Sequence, residues 1–345
     1  MKFSWKKWVM FMSNKLKGTG AVFGFTLKQM MKNRANQIIF AIFILVALLA
    51  IPVGSLILGD QGADNDTING YYTEWYTVED YLAMQAEWDE MDAEVGMDTK
   101  FLIQYVYSIA VMVVGLFSVS YIVQGIVMEK SSRLVETLLI SVEPMALVFG
   151  KILAVMAYIF SMMASMVAAG LFSWKVSGLF LNLSGLTAGL ESLGITKDVF
   201  RLEPMAWIVI IVSLVLAYLF FSFIAGLTGA GCSNPEEMES ANMGAMVVIL
   251  FGYLVSCMAS AFESNMAQTI FALVPAVSSF TVPVFYILEE ISLGTVVASW
   301  TVELACILFL WWMTASVYQR LILYKGRRMK WGQIISMAMK KEGGK

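Results

Sequence analysis

Long apolar runs separated by short polar segments dominate the chain. A helix needs ~20 mostly apolar residues to cross the hydrocarbon core of a bilayer, and six runs reach that length. They predict transmembrane helices at residues 37–58, 101–127, 152–174, 204–230, 241–261 and 293–317. The pattern therefore predicts an all-α membrane protein with six transmembrane helices.

A further apolar stretch precedes the last span, in the segment 262–292. The run 267–287 is long enough to cross, but it contains Pro275 and Pro283. A seventh span would also place the basic C-terminus outside. Broken helices are tolerated at membrane depth where protein buries them. We therefore predict a re-entrant helical hairpin that enters from outside and returns.

The N-terminal segment 1–36 carries a second kind of pattern. Between residues 19 and 34, apolar side chains recur near helical spacing with Lys and Arg between them. This predicts an amphipathic helix on the inner membrane surface; a plain cytosolic lead-in is the alternative. The first span is longer than the apolar core of a signal peptide, about 7–15 residues, so we interpret it as a retained anchor.

Charge gives the predicted spans an orientation. Residues 1–35 carry eight Lys or Arg and no acid, and the tail 318–345 carries eight against one Glu. The segment 59–100 carries twelve Asp or Glu and one Lys. By the positive-inside rule both termini are cytoplasmic, and 59–100 and the loop 175–203 are extracellular. We expect turns around Asp60, Asp64 and Asp66, and a solvated acidic cap rather than a calcium site.

Composition excludes several classes of protein. The chain is 59% hydrophobic and 14% charged, against ~25% charged in soluble domains, and nothing indicates nucleic-acid binding. It has no histidine, and its three cysteines lack zinc or disulfide spacing. No Walker phosphate-binding loop is present, so ATP is not bound by that route. We expect no catalytic, cofactor or metal site.

Glu303 is the one acid well inside a predicted span. Charged groups there are costly and are usually paired or functional. One interpretation is that Glu303 snorkels or bonds to a neighbouring helix, with Lys175 as a candidate partner. The other is that it lines a transport path.

The cytoplasmic segment 128–151 has more charge than a simple turn needs; the other such loop is 231–240. Taken as a helix, it places Glu129, Arg133 and Glu136 on one face at steps of four and three. Leucines and valines form an apolar stripe on another side, and Pro144 ends or turns the helix. The pattern predicts a helix parallel to the membrane whose charged face binds something at the cytosolic surface; a generic interfacial helix with solvated charges is the alternative.

The same segment resembles the signature stretch of ABC-2 type transporter permeases, especially the sodium-exporter-like branch. That stretch has the form E-K-x-x-R-x-x-E, followed by leucines, a Pro and a G-K pair. The matching positions here are Glu129, Lys130, Arg133, Glu136, Leu138, Leu139, Pro144, Gly150 and Lys151. The loop with Pro235, the proline-containing hairpin and the basic tail are also similar. The short acidic outer segment differs from that branch, so its substrates are not carried over.

The resemblance implies a function and partners. Residues 128–151 would form a coupling helix that docks a separate cytosolic ABC ATPase subunit, with Glu129, Lys130, Arg133, Glu136, Pro144 and Lys151 as coupling residues. ATP and Mg would bind in that subunit, and the chain would pair with a second permease half, a copy or a relative. The expected function is outward transport across a bacterial plasma membrane. The alternative is a non-transporting membrane scaffold or sensor.

Overall fold

The computed structural model describes residues 16–72, 99–131, 142–181, 183, 186–187, 202–232, 234–259, 261–262 and 264–321. Nine α-helices and one short 3-10 helix make up this part of the chain, and it contains no strand. The helices are α1 (Thr19–Lys32), α2 (Arg34–Tyr72), α3 (Thr99–Ser131), α4 (Pro144–Phe180), α5 (Pro204–Ala230), α6 (Met238–Ala259), α7 (Asn265–Leu273), α8 (Pro275–Ile287) and α9 (Leu293–Leu321). The 3-10 helix is Pro235–Glu237.

The predicted all-α class and the six spans are confirmed for the described residues. Six helical stretches are long and apolar enough to cross a membrane. They are Arg34–Ile57, Ile103–Ser131, Met145–Phe180, Pro204–Ala230, Pro235–Ala259 and Leu293–Val317. Each starts or ends within several residues of a predicted span.

Two local predictions need correction. The turns expected at Asp60, Asp64 and Asp66 are absent, because α2 continues as one helix to Tyr72. The helix α4 begins at Pro144, eight residues before the predicted start at Ile152; whether Pro144 also ends or turns a preceding coupling helix stays a prediction, because residues 132–141 lie outside the described residues. Proline suits this first position because the N–H that it lacks has no partner in the first helical turn.

The segment before the last span consists of two short helices. With 9 and 13 residues, α7 and α8 are about 14 and 20 Å long, too short to cross ~30 Å of hydrocarbon. Val274 lies between them in extended conformation, and Pro275 opens α8. The break at Val274 and Pro275 thus prevents one continuous seventh span, whereas Pro283 lies inside α8 without ending it. Whether the pair forms a re-entrant hairpin stays a prediction.

The described residues form two compact units, and α3 and α4 contribute to both. The first unit comprises the described parts of Met1–Asn33, Gln104–Phe160 and Glu203–Lys345. Its helix α8 is in contact with α5, α6, α7 and α9, and residues 277–285 are all buried. A Cβ added at Gly252 of α6 would overlap the carbonyl oxygen of Ala276, so the two backbones touch there.

The second unit comprises the described parts of Arg34–Ile103 and Ser161–Leu202. Pro52 lies inside α2 and has no N–H, so the carbonyl of Leu48, four residues earlier, loses its helical donor. Ser173 of α4 donates its hydroxyl to that carbonyl oxygen at 2.6 Å. A side chain from another helix therefore completes the hydrogen bonding of α2, as is common for prolines in membrane helices.

Candidate coupling site at the ends of α3 and α4

The predicted coupling residues cluster where α3 ends and α4 begins. Ser131 is the last residue of α3, and Pro144 is the first of α4. Arg133 and Glu136 lie outside the described residues, as do residues 132–141 as a whole. The structure therefore describes the two helix ends that flank the predicted coupling helix. We call this region the lysine end of the first unit, after Lys130 and Lys151.

An ion pair joins the two helix ends. Lys151 lies two turns into α4 and is only 3% exposed, and its ammonium group pairs with the carboxylate of Glu129. Lys151 also donates to the backbone oxygen of Gly125 at 3.1 Å. A buried ammonium is tolerated only when a counter-charge and hydrogen-bond acceptors surround it. The last turns of α3 supply both to α4.

Lys130, the next residue along α3, is directed to a different helix. Its ammonium donates to the carbonyl oxygens of Ala230 and Cys232, at 3.2 and 2.8 Å. The last carbonyls of a helix have no partner within it and carry partial negative charge. Lys130 therefore caps the C-terminus of α5 and ties it to α3.

The start of α4 also packs closely against α1. A Cβ added at Gly150 would lie 2.9 Å from the backbone oxygen of Thr19 and 2.9 Å from Cβ of Val22. Such distances are too short for real side chains, so only glycine lets the two helices approach this far. Just before α1, Gly18 has a φ of 98°, which favours glycine, and it abuts Val142.

A cleft of 260 Å³ remains between α1 and the two helix ends. Most of its lining is apolar, and the carboxylate-bearing residue in it is Glu129. The lining residues are Ala21, Val22, Phe25, Thr26, Glu129, Val142 and Leu147. A helix, α1, is present where the amphipathic helix was predicted, with Val22 and Met30 buried and Phe25 60% exposed; its position on the inner membrane surface stays a prediction.

The sequence prediction for Glu129 needs revision. Its spacing predicts a shared face with Arg133 and Glu136, directed to a partner protein, whereas its carboxylate is turned inward to Lys151. The physical reason is that the buried ammonium needs a counter-charge. The available signal was that Lys151 and Glu129 fall at similar depths on consecutive spans. The coupling roles of all six residues stay predictions.

A second polar cluster surrounds α8. Pro283 has no N–H, so the carbonyl of Ser279 loses its helical donor, and the hydroxyl of Tyr107 donates to it at 3.4 Å. Gln104 donates to the next carbonyl, that of Phe280, at 3.0 Å. Side chains of α3 thus complete the hydrogen bonding of α8, as Ser173 does for α2.

The hydrogen-bonded chain continues from α3 to α6. Gln104 donates to the hydroxyl of Ser108 at 2.7 Å, and Ser108 lies 3.3 Å from the hydroxyl of Ser256. Ser256 in turn donates to the carbonyl of Tyr253 at 2.7 Å. Buried hydroxyl and amide groups at helix contacts stabilise membrane bundles because lipid offers them no partner.

Glu303 belongs to this cluster. It is 1% exposed, and its Oε1 atom lies 2.6 Å from the hydroxyl oxygen of Ser279. A bond to a neighbouring helix, one of the two interpretations from the sequence, is therefore present; the transport-path role stays a prediction. The pairing of Glu303 with Lys175, which is exposed, stays a prediction as well.

The described residues contain no cluster of His, Cys, Asp or Glu able to hold a metal ion. Residues 73–98 of the acidic segment 59–100, for which a calcium site was the alternative to a solvated cap, lie outside them.

Six apolar helices, polar groups satisfied between helices and charges gathered at helix ends define a multi-pass helical membrane protein. A family model described as ABC-2 family transporter protein matches residues 65–316, more than half of the chain. The chain belongs to this family of transporter membrane subunits. The family model does not distinguish branches of the family, so membership of the sodium-exporter-like branch stays a prediction. No curated protein and no solved structure matched the chain.

Proposed function

We propose that the chain is the permease subunit of an ATP-driven exporter. A separate cytosolic ABC ATPase binds at the lysine end, hydrolyses ATP there with Mg, and drives substrate outward. Family membership supports the transporter role, and in ABC-2 transporters the ATPase is a separate subunit. It also disfavours the scaffold or sensor considered from the sequence.

The observation that carries the proposal is the set of attachments at the lysine end. Lys151 and Glu129 join α4 to α3, Lys130 joins α3 to α5, and Gly150 lets α1 touch α4. Buried charge pairs and backbone contacts have few alternative arrangements. A force that the ATPase exerts on residues 132–141 would therefore displace several helices together. Rigid-body rocking of helix bundles requires such joint movement.

The residues of the signature stretch divide into two roles on this proposal. Arg133 and Glu136 contact the ATPase, where charge pairs set register and specificity. The helix ends are positioned by Glu129, Lys130 and Lys151. Pro144 starts α4, the helix that transmits the movement of the ATPase into the membrane.

Orientation and assembly follow from charge and symmetry. The basic segments 1–36 and 318–345 favour cytoplasmic termini by the positive-inside rule. The lysine end is then cytoplasmic as well, since it adjoins α1. We propose a bacterial plasma-membrane complex of two permease halves and two ATPase subunits. The apolar spans favour a lipidic or amphipathic cargo over a hydrated ion.

The test is capture of the ATPase from native membranes followed by activity measurements. The purified chain alone should not hydrolyse ATP, and the complex should. Reversing both charges, Arg133→Glu with Glu136→Arg, should abolish stimulation of the ATPase by the permease while membrane insertion stays normal. The matched control is Lys175→Glu, an exposed residue near the opposite end of α4, which should leave stimulation unchanged.

Two results would contradict the proposal. If the captured complex contains no ATPase, the scaffold interpretation is favoured. If stimulation survives the double reversal, then Arg133 and Glu136 do not couple the two subunits.

A further inference from the structure

Glu303 has no cationic partner among the described residues. The helices α5, α7 and α8 contact α9 and contain no Lys or Arg. Helix α4 also touches α9, where Phe149 packs on Trp311 with ring centroids 5.5 Å apart, but the lysine near that contact, Lys151, is paired with Glu129. On α3, Lys130 caps the end of α5, and Lys100 lies seven residues before Tyr107. On α9 itself the nearest cation is Arg320, 17 residues further on, which is about 25 Å along a helix axis. Among the described residues, no ion pair involves Glu303.

The titratable group that lies beside this site from α3 is Tyr107, whose hydroxyl donates to the backbone of Ser279, the residue that Glu303 contacts. The Tyr107 hydroxyl has one hydrogen, and this hydrogen is directed to the carbonyl oxygen of Ser279 at 3.4 Å. Tyr107 therefore has no hydrogen left to donate to the carboxyl group. An ionised carboxylate that is 1% exposed and lacks a cation is very costly, and such groups take up a proton instead.

The hydrogen bonds of Ser279 also indicate that the carboxyl group of Glu303 is protonated. Its hydroxyl oxygen lies 3.1 Å from the carbonyl oxygen of Pro275 and 2.6 Å from Oε1 of Glu303. A serine hydroxyl has one hydrogen but accepts as well. A carbonyl oxygen only accepts, so Ser279 donates to Pro275 when Glu303 donates to Ser279. Both contacts are full hydrogen bonds when the carboxyl group carries a hydrogen.

We propose that Glu303 is an intramembrane proton-binding site, and that the protonated carboxyl group donates to Ser279 and so fastens α9 to α8. One bound proton then completes the series of hydrogen bonds from Glu303 through the Ser279 hydroxyl to the carbonyl oxygen of Pro275. On this proposal Glu303 is a positioning residue that carries no charge, in contrast to an ionised residue lining a transport path.

Infrared spectroscopy of the full chain in phosphatidylcholine nanodiscs at pH 7 tests the proposal directly. The wild type minus Glu303→Gln difference spectrum should contain the carbonyl band of one protonated carboxyl group. Ser279→Ala, which keeps Glu303 but removes its acceptor, should shift that band. If Glu303→Gln does not fold, the wild type minus Ser279→Ala spectrum still reports the band. A wild type without it, including one whose Glu303 pairs with Lys100 or Lys175, overturns the proposal.

Thermal unfolding separates a hydrogen-bond donor from a charge. The amide of Glu303→Gln can donate to Ser279 as the acid does, so its apparent Tm should stay within a few degrees of the wild type. Glu303→Leu has no donor and should melt clearly lower. Equal losses in both variants would mean that the carboxylate charge is required, which refutes the proposal.

Discussion

The pair formed by Lys151 and Glu129 gives a sharp test of the lysine end. In Lys151→Met the side chain is one heavy atom shorter and loses the charge, and Glu129 is left without its counter-charge. Lys151 is 3% and Glu129 14% exposed, so solvent replaces little of what is lost. Removing one partner of a buried ion pair costs about 3–5 kcal/mol. We take about 3 kcal/mol, because Glu129 keeps some contact with solvent.

The measurement is the apparent Tm of the purified chain in detergent at a fixed scan rate, because membrane proteins often unfold irreversibly. At about 2–4 °C per kcal/mol, Lys151→Met should lower Tm by about 6–12 °C. The control Lys28→Met removes an exposed lysine of α1 and should change stability by about 0.5 kcal/mol at most.

A double variant separates a lost pair from a lost side chain. Adding Glu129→Gln to Lys151→Met removes the uncompensated carboxylate and should restore at least half of the lost Tm. The reasoning is refuted if Lys151→Met behaves like Lys28→Met, or if the two losses simply add.

The remaining predictions concern backbone contacts between helices. Gly252→Ala should destabilise the chain by about 1–3 kcal/mol, because the added methyl overlaps the Ala276 carbonyl. The control Gly170→Ala, whose methyl meets nothing within 4 Å, should be neutral or stabilising in the same melting assay. Equal effects of the two variants would contradict the close approach of α6 and α8. Ser173→Ala should cost about 1 kcal/mol in the native chain and nothing in a Pro52→Ala background, where α2 regains its own donor. A cost that persists in that background would show that Ser173 does not act through the carbonyl freed by Pro52.

The spans could be predicted from sequence because their signal is local. Length and apolarity alone decide whether a helix can cross a bilayer, so all six spans were predicted, and Pro275 correctly marked a break in the last apolar run. The same local reasoning failed at Asp60, Asp64 and Asp66, where α2 continues. Turn propensity is a weak signal against the cooperativity of a helix that is already formed.

The candidate site was predicted in part. The charges of 128–151 singled out Glu129, Lys130 and Lys151, and periodicity gave their positions on helix faces. Periodicity could not give their partners, because Lys130 and Ala230 are 100 residues apart and Glu129 and Lys151 belong to different helices. No pattern along one helix specifies the rotation of the next.

The sequence alone determined the class of this protein: an all-helical membrane protein with basic ends and one charged segment between two spans. The tertiary structure decided what the polar residues do. It turned Glu129 toward Lys151, set Lys130 on the end of α5, and matched Ser173 and Tyr107 to the carbonyls that Pro52 and Pro283 had freed. The reason is that lipid provides no hydrogen-bond partner, so each polar group within a span must be satisfied by another helix, and only packing determines which helix that is.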